Sequence, residues 1–438
     1  MTHSADMNAH RPSPLHFNAR WDRTLVPADG GTAYLLITIS AAPISGTSEN
    51  RAPIDVAFVL DRSGSMSGEK LELVKEATLT GLALLRTDDR AALVIYDHDV
   101  ETIHYLSPCD TRAKARLSRV LKGVDSRGST NLSDGWLTGC DQLSNGMANG
   151  GRARIRRALL LTDGLANMGI VDPGELMTHA GELRRRGIST TTVGVGEGFD
   201  EVLLSGMAEA GGGNFQYIGR PSELPAFFAE ELGEMLTVVA AGLTLSVRLP
   251  HGVRAELVNA FPSDRDGKRI DLSLGDLPAG NELNLIIECS IKPGPIRTIH
   301  TLSVNASWSE PSTDRRNETG IPVQPLTLAT RYDVERVKID DEVAEEVAVQ
   351  IATVREREAM RLDREGQRRE SRAMLAQNAA LLQAAPSSAR VTALHSHFAI
   401  LSEQNVDFDF AENTRKQSTS DAMRRSRGRK EHGDGSAS

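Results

Sequence analysis

Aromatic side chains are scarce in this chain: three Trp, five Tyr and ten Phe among 438 residues. Any core must rest on Leu, Val, Ile and Ala, which a hydrophobic content of 39% can supply. Cysteine is scarcer. Cys109, Cys140 and Cys289 are widely spaced, form no C-x-x-C pair and leave one thiol over. That argues against a disulfide framework and against a cysteine zinc site. Long apolar runs are missing too, and no stretch approaches the roughly 18 apolar residues of a membrane span. Positive charge does not dominate, and a formal net charge of -9 argues against general nucleic-acid affinity. Residues 1–14 are polar and lack the apolar centre of a secretory signal. The expectation is a cytoplasmic protein with reduced thiols. Its length calls for two or three domains.

What is present has a rhythm. Residues 54–60 form an apolar run that reads as a central strand, buried on both faces. From there to about 236, strands and helices alternate. Strands are expected near 91–96, 100–106, 158–162, 189–195 and 214–218. Helices are expected near 69–85, 111–121, 132–143, 173–186, 200–210 and 222–236. This specifies an α/β fold with a doubly wound, mostly parallel, Rossmann-like sheet over 53–236. Ligands of such sheets bind outside the carboxyl ends of the strands. Asp61, Asp97 and Asp163 all fall at that edge.

After Val238 the pattern changes to short, partly alternating segments separated by Pro, Gly and Asp turns. Residues 240–330 therefore read as an antiparallel β-sandwich of five strands. Residues 15–50 also look β-like and are expected to join it, which makes the α/β domain an insertion. Residues 334–404 read as helical. Val343, Val347, Ile351 and Val354 form an apolar stripe, while the mixed charges of 355–372 suit a solvated face or a polar partner. Residues 1–14 and the basic stretch 413–438 read as disordered tails.

Asp61-Arg62-Ser63-Gly64-Ser65 stands where the first strand of the α/β domain ends. Three oxygen-bearing side chains on alternate positions of a tight loop suit a hard divalent cation, which takes oxygen ligands and keeps several waters. Two further segments fall on loops of the same edge: Gly128-Ser129-Thr130-Asn131 and Thr162-Asp163-Gly164. Competing readings fail on single residues. An EF-hand loop starting at Asp61 would put Met66 where glycine is required, with a strand rather than a helix before it. A serine nucleophile elbow at Gly64–Gly68 would have Met66 at its centre. In Gly194-Val195-Gly196-Glu197-Gly198, Phe199 stands where the third glycine of a dinucleotide loop belongs.

The three segments, in this order, resemble the metal-ion-dependent adhesion site of von Willebrand factor A domains. The resemblance covers about 53–236, and all five ligand positions of the motif are matched: Asp61, Ser63, Ser65, Thr130 and Asp163. It implies Mg²⁺, with Mn²⁺ or Ca²⁺ possible, held so that a partner's carboxylate completes the coordination shell. The layout is similar to that of bacterial multidomain proteins of this type and to inter-α-trypsin-inhibitor heavy chains. The function implied is that of a non-enzymatic adaptor, with a protein ligand as partner. By analogy with other cytoplasmic members, an AAA+ ATPase or another multiprotein complex is a candidate assembly. Two readings compete with it: a scaffold whose metal only stabilises the domain, and a metal-assisted hydrolase, for which no general base other than Asp97 stands near the motif.

Overall fold

A computed structural model describes residues 13–43, 51–146, 154–196, 198–313 and 315–427. Three strands come first: β1 (Leu15–Trp21), β2 (Leu25–Pro27) and β3 (Gly31–Ala41). The α/β domain follows as β4 (Ile54–Asp61), α1 (Glu69–Leu84), β5 (Arg90–Tyr96), β6 (Val100–Pro108), α2 (Thr111–Lys122) and α3 (Leu132–Asn145). It continues through β7 (Ile155–Thr162), α4 (Pro173–Arg185), β8 (Ile188–Val195), α5 (Glu201–Ala210), β9 (Gly212–Ile218) and α6 (Leu224–Leu236).

These six strands lie in the order β6-β5-β4-β7-β8-β9. All neighbours are parallel except β5 and β6. Every residue of β4 is buried, as its unbroken apolar run requires of a central strand. Phe58 and Leu60 face one helical layer, with Leu71, Val74, Phe228 and Leu232. Ala57 and Val59 face the other, with Trp136, Leu176 and Leu204. Helix starts are set by aspartate caps: Asp110, Asp172 and Asp200 each accept a hydrogen bond from an amide in the first turn.

The chain then returns to β structure through β10 (Val238–Arg248), β11 (Val253–Leu257), β12 (Ser263–Asp266), β13 (Arg269–Pro278) and β14 (Glu282–Ile291). It continues with β15 (Ile299–His300), β16 (Ser303–Glu310), β17 (Arg315–Ile321) and β18 (Leu326–Ala329). One sheet has the order β1-β3-β14-β11 and the other β12-β13-β10-β16-β17. Between them lies an apolar layer that includes Leu35, Ile37 and Ile39 of β3 and Leu245 and Val247 of β10. The α/β domain thus leaves the sandwich from one sheet, after β3, and re-enters the other at β10. Both junctions meet the β13–β14 turn: Ala279 N donates to Thr237 O (2.9 Å), and Gly280 N to Ala41 O (3.0 Å). The sandwich has more strands than the five read from the sequence. The extra strands β12 and β17 are sheet edges that are largely exposed on both faces, so they carry no apolar alternation.

Five helices close the described chain: α7 (Arg331–Glu335), α8 (Asp341–Arg364), α9 (Arg368–Ala384), α10 (Ala389–Ser402) and α11 (Glu412–Ser426). Val343 and Val347 of α8 pack on Leu36 and Ile286 of the four-stranded sheet. Farther along, α8, α9 and α10 share a core around Leu375, Leu394 and Phe398. The charge-dense stretch 355–372 is not a solvated face throughout. Glu356, Asp363 and Arg372 are buried, and Arg372 Nη1 donates to Asp363 Oδ1 at 2.7 Å.

Helix α11 corrects the reading of 413–438 as a disordered tail; of that range, 428–438 lie outside the described residues, as do 1–12. Composition misleads here because polar side chains do the docking. Lys416 is fully buried, with its ammonium 4.0 Å from the centre of the Phe199 ring. Arg424 Nη2 donates to Glu230 Oε1 at 2.7 Å, and Arg425 pairs with Glu356. Tyr217 N of the edge strand β9 donates to Ser420 Oγ (3.3 Å), so the helix covers the open side of the sheet. Among the described residues, no helix is long and apolar enough to cross a membrane.

Candidate functional site

Three loops meet at the carboxyl edge of the six-stranded sheet. The first follows β4, the second precedes α3 and the third follows β7. They are laced together by backbone hydrogen bonds: Arg127 N to Arg62 O (2.8 Å) and Gly64 N to Gly128 O (3.1 Å) join the first two, Asn167 N to Thr130 O (3.4 Å) joins the third to the second, and Asn131 N to Asp97 O (2.7 Å) ties the second to the β5–β6 turn. Asp97 is a buried tie between loops rather than a wall of the crevice. Its Oδ2 accepts from Arg62 Nε and Arg127 Nε, both at 2.8 Å, and its Oδ1 from Asp99 N at 2.8 Å. Burial alone would raise its pKa. The Asp99 amide and the two guanidinium groups outweigh it and hold the carboxyl below the usual carboxylate range.

All five residues named from the sequence come together. Asp61 is fully buried; its Oδ1 accepts from Ser63 N (2.7 Å) and its Oδ2 from Thr162 Oγ1 (2.6 Å). The Ser63 and Ser65 hydroxyls lie 3.0 Å apart, and Ser65 Oγ donates to Asp163 Oδ1 at 2.7 Å. Thr130 is buried, and its amide donates to Asn167 Oδ1 at 3.1 Å. A Cβ on Gly164 would stand 3.2 Å from Thr130 Oγ1 and 3.7 Å from Ser65 Oγ. Glycine therefore keeps the crevice open where the second and third loops approach.

The two carboxylates differ: Asp163 has a cation beside it, and Asp61 has no ion pair among the described residues. Burial pushes the Asp61 carboxyl up to about 6, against the hydrogen bonds from Thr162 and Ser63, and the nearby Asp163 adds to the rise. Lys70, in the first turn of α1, ion-pairs with Asp163 Oδ2. Lys70 and Thr162 were not singled out from the sequence. The signal available for Lys70 was its place just inside a helix that starts beside the crevice.

The donor atoms are carboxylate and hydroxyl oxygens, several of them already within hydrogen-bond distance of one another. A hard cation placed among them would replace those mutual hydrogen bonds, so the residues present fit Mg²⁺ or a similar ion chemically. The His98 ring lies outside this set, 3.1 Å from Asp97 Oδ1 on the outer side of the loops.

The layered sheet with an oxygen-lined crevice at its carboxyl edge defines a Rossmann-like α/β domain, a class whose ligands bind at that edge. Residues 55–230 match the von Willebrand factor type A domain, and the chain carries a domain of that type there. Such domains typically take part in protein–protein interaction. Among curated proteins, the chain is 28% identical over 291 residues to the uncharacterized protein YfbK of Escherichia coli, covering 64% of this chain and 48% of that one. It is 26% identical over 317 residues to the uncharacterized protein sll0103 of Synechocystis, covering 69% of this chain and 72% of that one. It is 30% identical over 197 residues to human inter-alpha-trypsin inhibitor heavy chain H3, covering 43% of this chain and 22% of that one. The chain thus spans about half of YfbK and about a fifth of the heavy chain. Among solved structures, a von Willebrand factor type A protein from Catenulispora acidiphila superposes with a TM-score of 0.67 at 18% identity, covering 84% of this chain and 86% of that one. The ArnB paralog VWA2 from Sulfolobus acidocaldarius gives 0.62 at 17% identity, covering 96% of this chain and all of that one. At these identities the structural likenesses speak to fold alone, and they extend beyond the α/β domain.

Proposed function

We propose that this protein is a non-enzymatic, metal-dependent protein-binding module. Asp61, Ser63, Ser65, Thr130 and Asp163 hold Mg²⁺ at the crevice, and the protein captures a carboxylate of a partner there. The observation that carries the reading is the convergence of five oxygen-bearing side chains from three loops. Bound Mg²⁺ supplies a Lewis-acid point that attracts an anionic oxygen. The chain's residues do the rest. Asp61 is oriented by Thr162 and the Ser63 amide, and Asp97 ties the first loop to the second.

The rim adds a preference. Leu165, Met168 and Val171, on the loop that follows Asp163, are 54%, 40% and 51% exposed. Large apolar groups beside an anion-seeking site suit a partner whose acidic residue has apolar neighbours. The inter-alpha-trypsin inhibitor heavy chain name and the interaction role typical of the domain support binding rather than catalysis. The cytoplasm and a multiprotein assembly, such as one built on an AAA+ ATPase, remain the setting we propose.

The test is a paired one. With Mg²⁺ at 100 times its Kd, stability should rise by about 2.7 kcal/mol. Ser63→Ala with Ser65→Ala should abolish that gain, while stability in EDTA changes by less than about 1 kcal/mol. Partner recovery, read by mass spectrometry, should disappear in EDTA. Recovery of the same partners with and without EDTA overturns metal-dependent capture. A large loss of stability on chelation with partner binding intact points instead to the scaffold role.

A further inference from the structure

At the other end of the α/β sheet lies a cleft of about 960 Å³, between the amino-terminal edge of the sheet and the outer face of β10, β13, β16 and β17. Six arginines line it: Arg154, Arg156, Arg184, Arg185, Arg269 and Arg316. Four carboxylates share the lining, but two are already engaged. Asp271 accepts from Arg269 Nε at 2.8 Å, and Asp276 accepts from Gly242 N at 3.0 Å.

Two of the arginines are short of partners. Arg184 forms no ion pair among the described residues. Its Nη2 donates to Ser273 O, while its Nη1 is buried with no hydrogen-bond partner. Arg156 Nε is also buried without a hydrogen bond. Its nearest carboxylate oxygen, Asp55 Oδ2 at 3.6 Å, belongs to a fully buried aspartate that Arg90 and Arg154 already bind. One carboxylate therefore faces three guanidinium groups. Burial lowers the pKa of both Arg156 and Arg184; Asp55 offsets it only in part at Arg156, as Asp276 and Glu209 do at Arg184. Buried donors in folded proteins are normally paired, and these two border the same space.

The cleft is also shaped in advance. Arg184 lies across Gly212, where φ is +69° and a Cβ would come within 2.8 Å of Nε. Any other residue there would push the guanidinium away. The floor offers hydroxyl and amide groups from Thr244, Ser246, Asn305 and Ser307. No aromatic ring lines the cleft among the described residues.

We propose that this cleft binds a small ligand bearing two or more linked phosphates. Arginine forks match phosphate oxygens bidentately, and several forks at different positions call for an anion with many oxygens. The volume exceeds that of a lone phosphate and lies in the range of small-molecule sites, about 300–1,000 Å³. With no ring to stack on, recognition goes to the phosphates and not to a base.

The test is calorimetric titration of the full chain at constant ionic strength, in EDTA, so that no cation at Asp163 can attract the anion. Pyrophosphate and ATP should bind with affinities within about threefold of each other, and inorganic phosphate at least about tenfold more weakly. Arg184→Gln should weaken pyrophosphate at least about tenfold, a charge-assisted bond being worth that much. Arg316→Gln is an exposed edge-strand change that leaves the fold alone, and it should weaken binding severalfold. Asp163→Ala should bind as the parent does, which separates this site from the metal crevice. The proposal is overturned if no phosphate probe gives heat, if ATP binds and pyrophosphate does not, or if both arginine variants bind pyrophosphate like the parent.

Discussion

The two ends of the six-stranded sheet differ in which charge is missing. At the carboxyl end, Asp61 and Asp163 face hydroxyls, and Lys70 brings a cation to the edge of the set. At the amino end, Arg156 and Arg184 lack full carboxylate partners. Between the ends stands a network that is closed. Glu231, fully buried, accepts from Arg157 Nη1 and Thr191 Oγ1, both at 2.7 Å, and from Asn214 Nδ2 at 2.9 Å. Buried charge that is fully answered holds the fold together. Buried charge left unanswered at the mouth of a crevice awaits something from outside.

That contrast can be broken at three places. The largest effect belongs to the closed network. Glu231→Ala leaves Arg157 buried without its main partner and should cost about 3–5 kcal/mol in urea unfolding. A loss under 1 kcal/mol would show that the closed network is no more structural than the open ends.

The second effect is in pH. In the metal-free protein burial pushes the Asp61 carboxyl up to about 6, above its ordinary value of 3.8. Its contribution to metal-free stability is therefore fully present below about 3.8 and is lost as pH rises through about 6. Mg²⁺ binding needs the carboxylate and reverses the sense. One proton lost near pH 6 makes Mg²⁺ affinity about tenfold higher at pH 7 than at pH 5. Equal Mg²⁺ titration curves at the two values would remove Asp61 from the ligand set.

The smallest effect concerns Lys70. Its ion pair with Asp163 is partly exposed, and Mg²⁺ must displace it. Lys70→Met should tighten Mg²⁺ about threefold, in line with a pair worth under about 1 kcal/mol. A weaker affinity would make Lys70 a helper of the site rather than a stand-in for its cation.

The sheet and its crevice were legible because their signals are local. β4 is an unbroken apolar run, and Asp61-x-Ser-x-Ser at its end places three oxygens within five residues. Thr130 and Asp163 needed only the α/β rhythm to bring their loops to the same edge. Lys70 was missed because its contact lies across the sheet edge, 93 residues away in sequence. Helix α11 was missed for a different reason. Ser420, Arg424 and Arg425, all buried, satisfy polar groups on β9, α6 and α8, and an interface made of hydrogen bonds has no hydrophobic period to read. The arginine cleft was illegible too, since its residues come from both domains.

The β13–β14 turn has a mechanical meaning. Its backbone grips the chain where it leaves β3 and again where it arrives at β10, and those strands lie in opposite sheets. A tug on anything held at the crevice reaches the rest of the chain partly through α11, docked on β9 and α6, and partly through two leads clamped side by side at this turn. The load is shared between both sheets instead of peeling one strand from its edge.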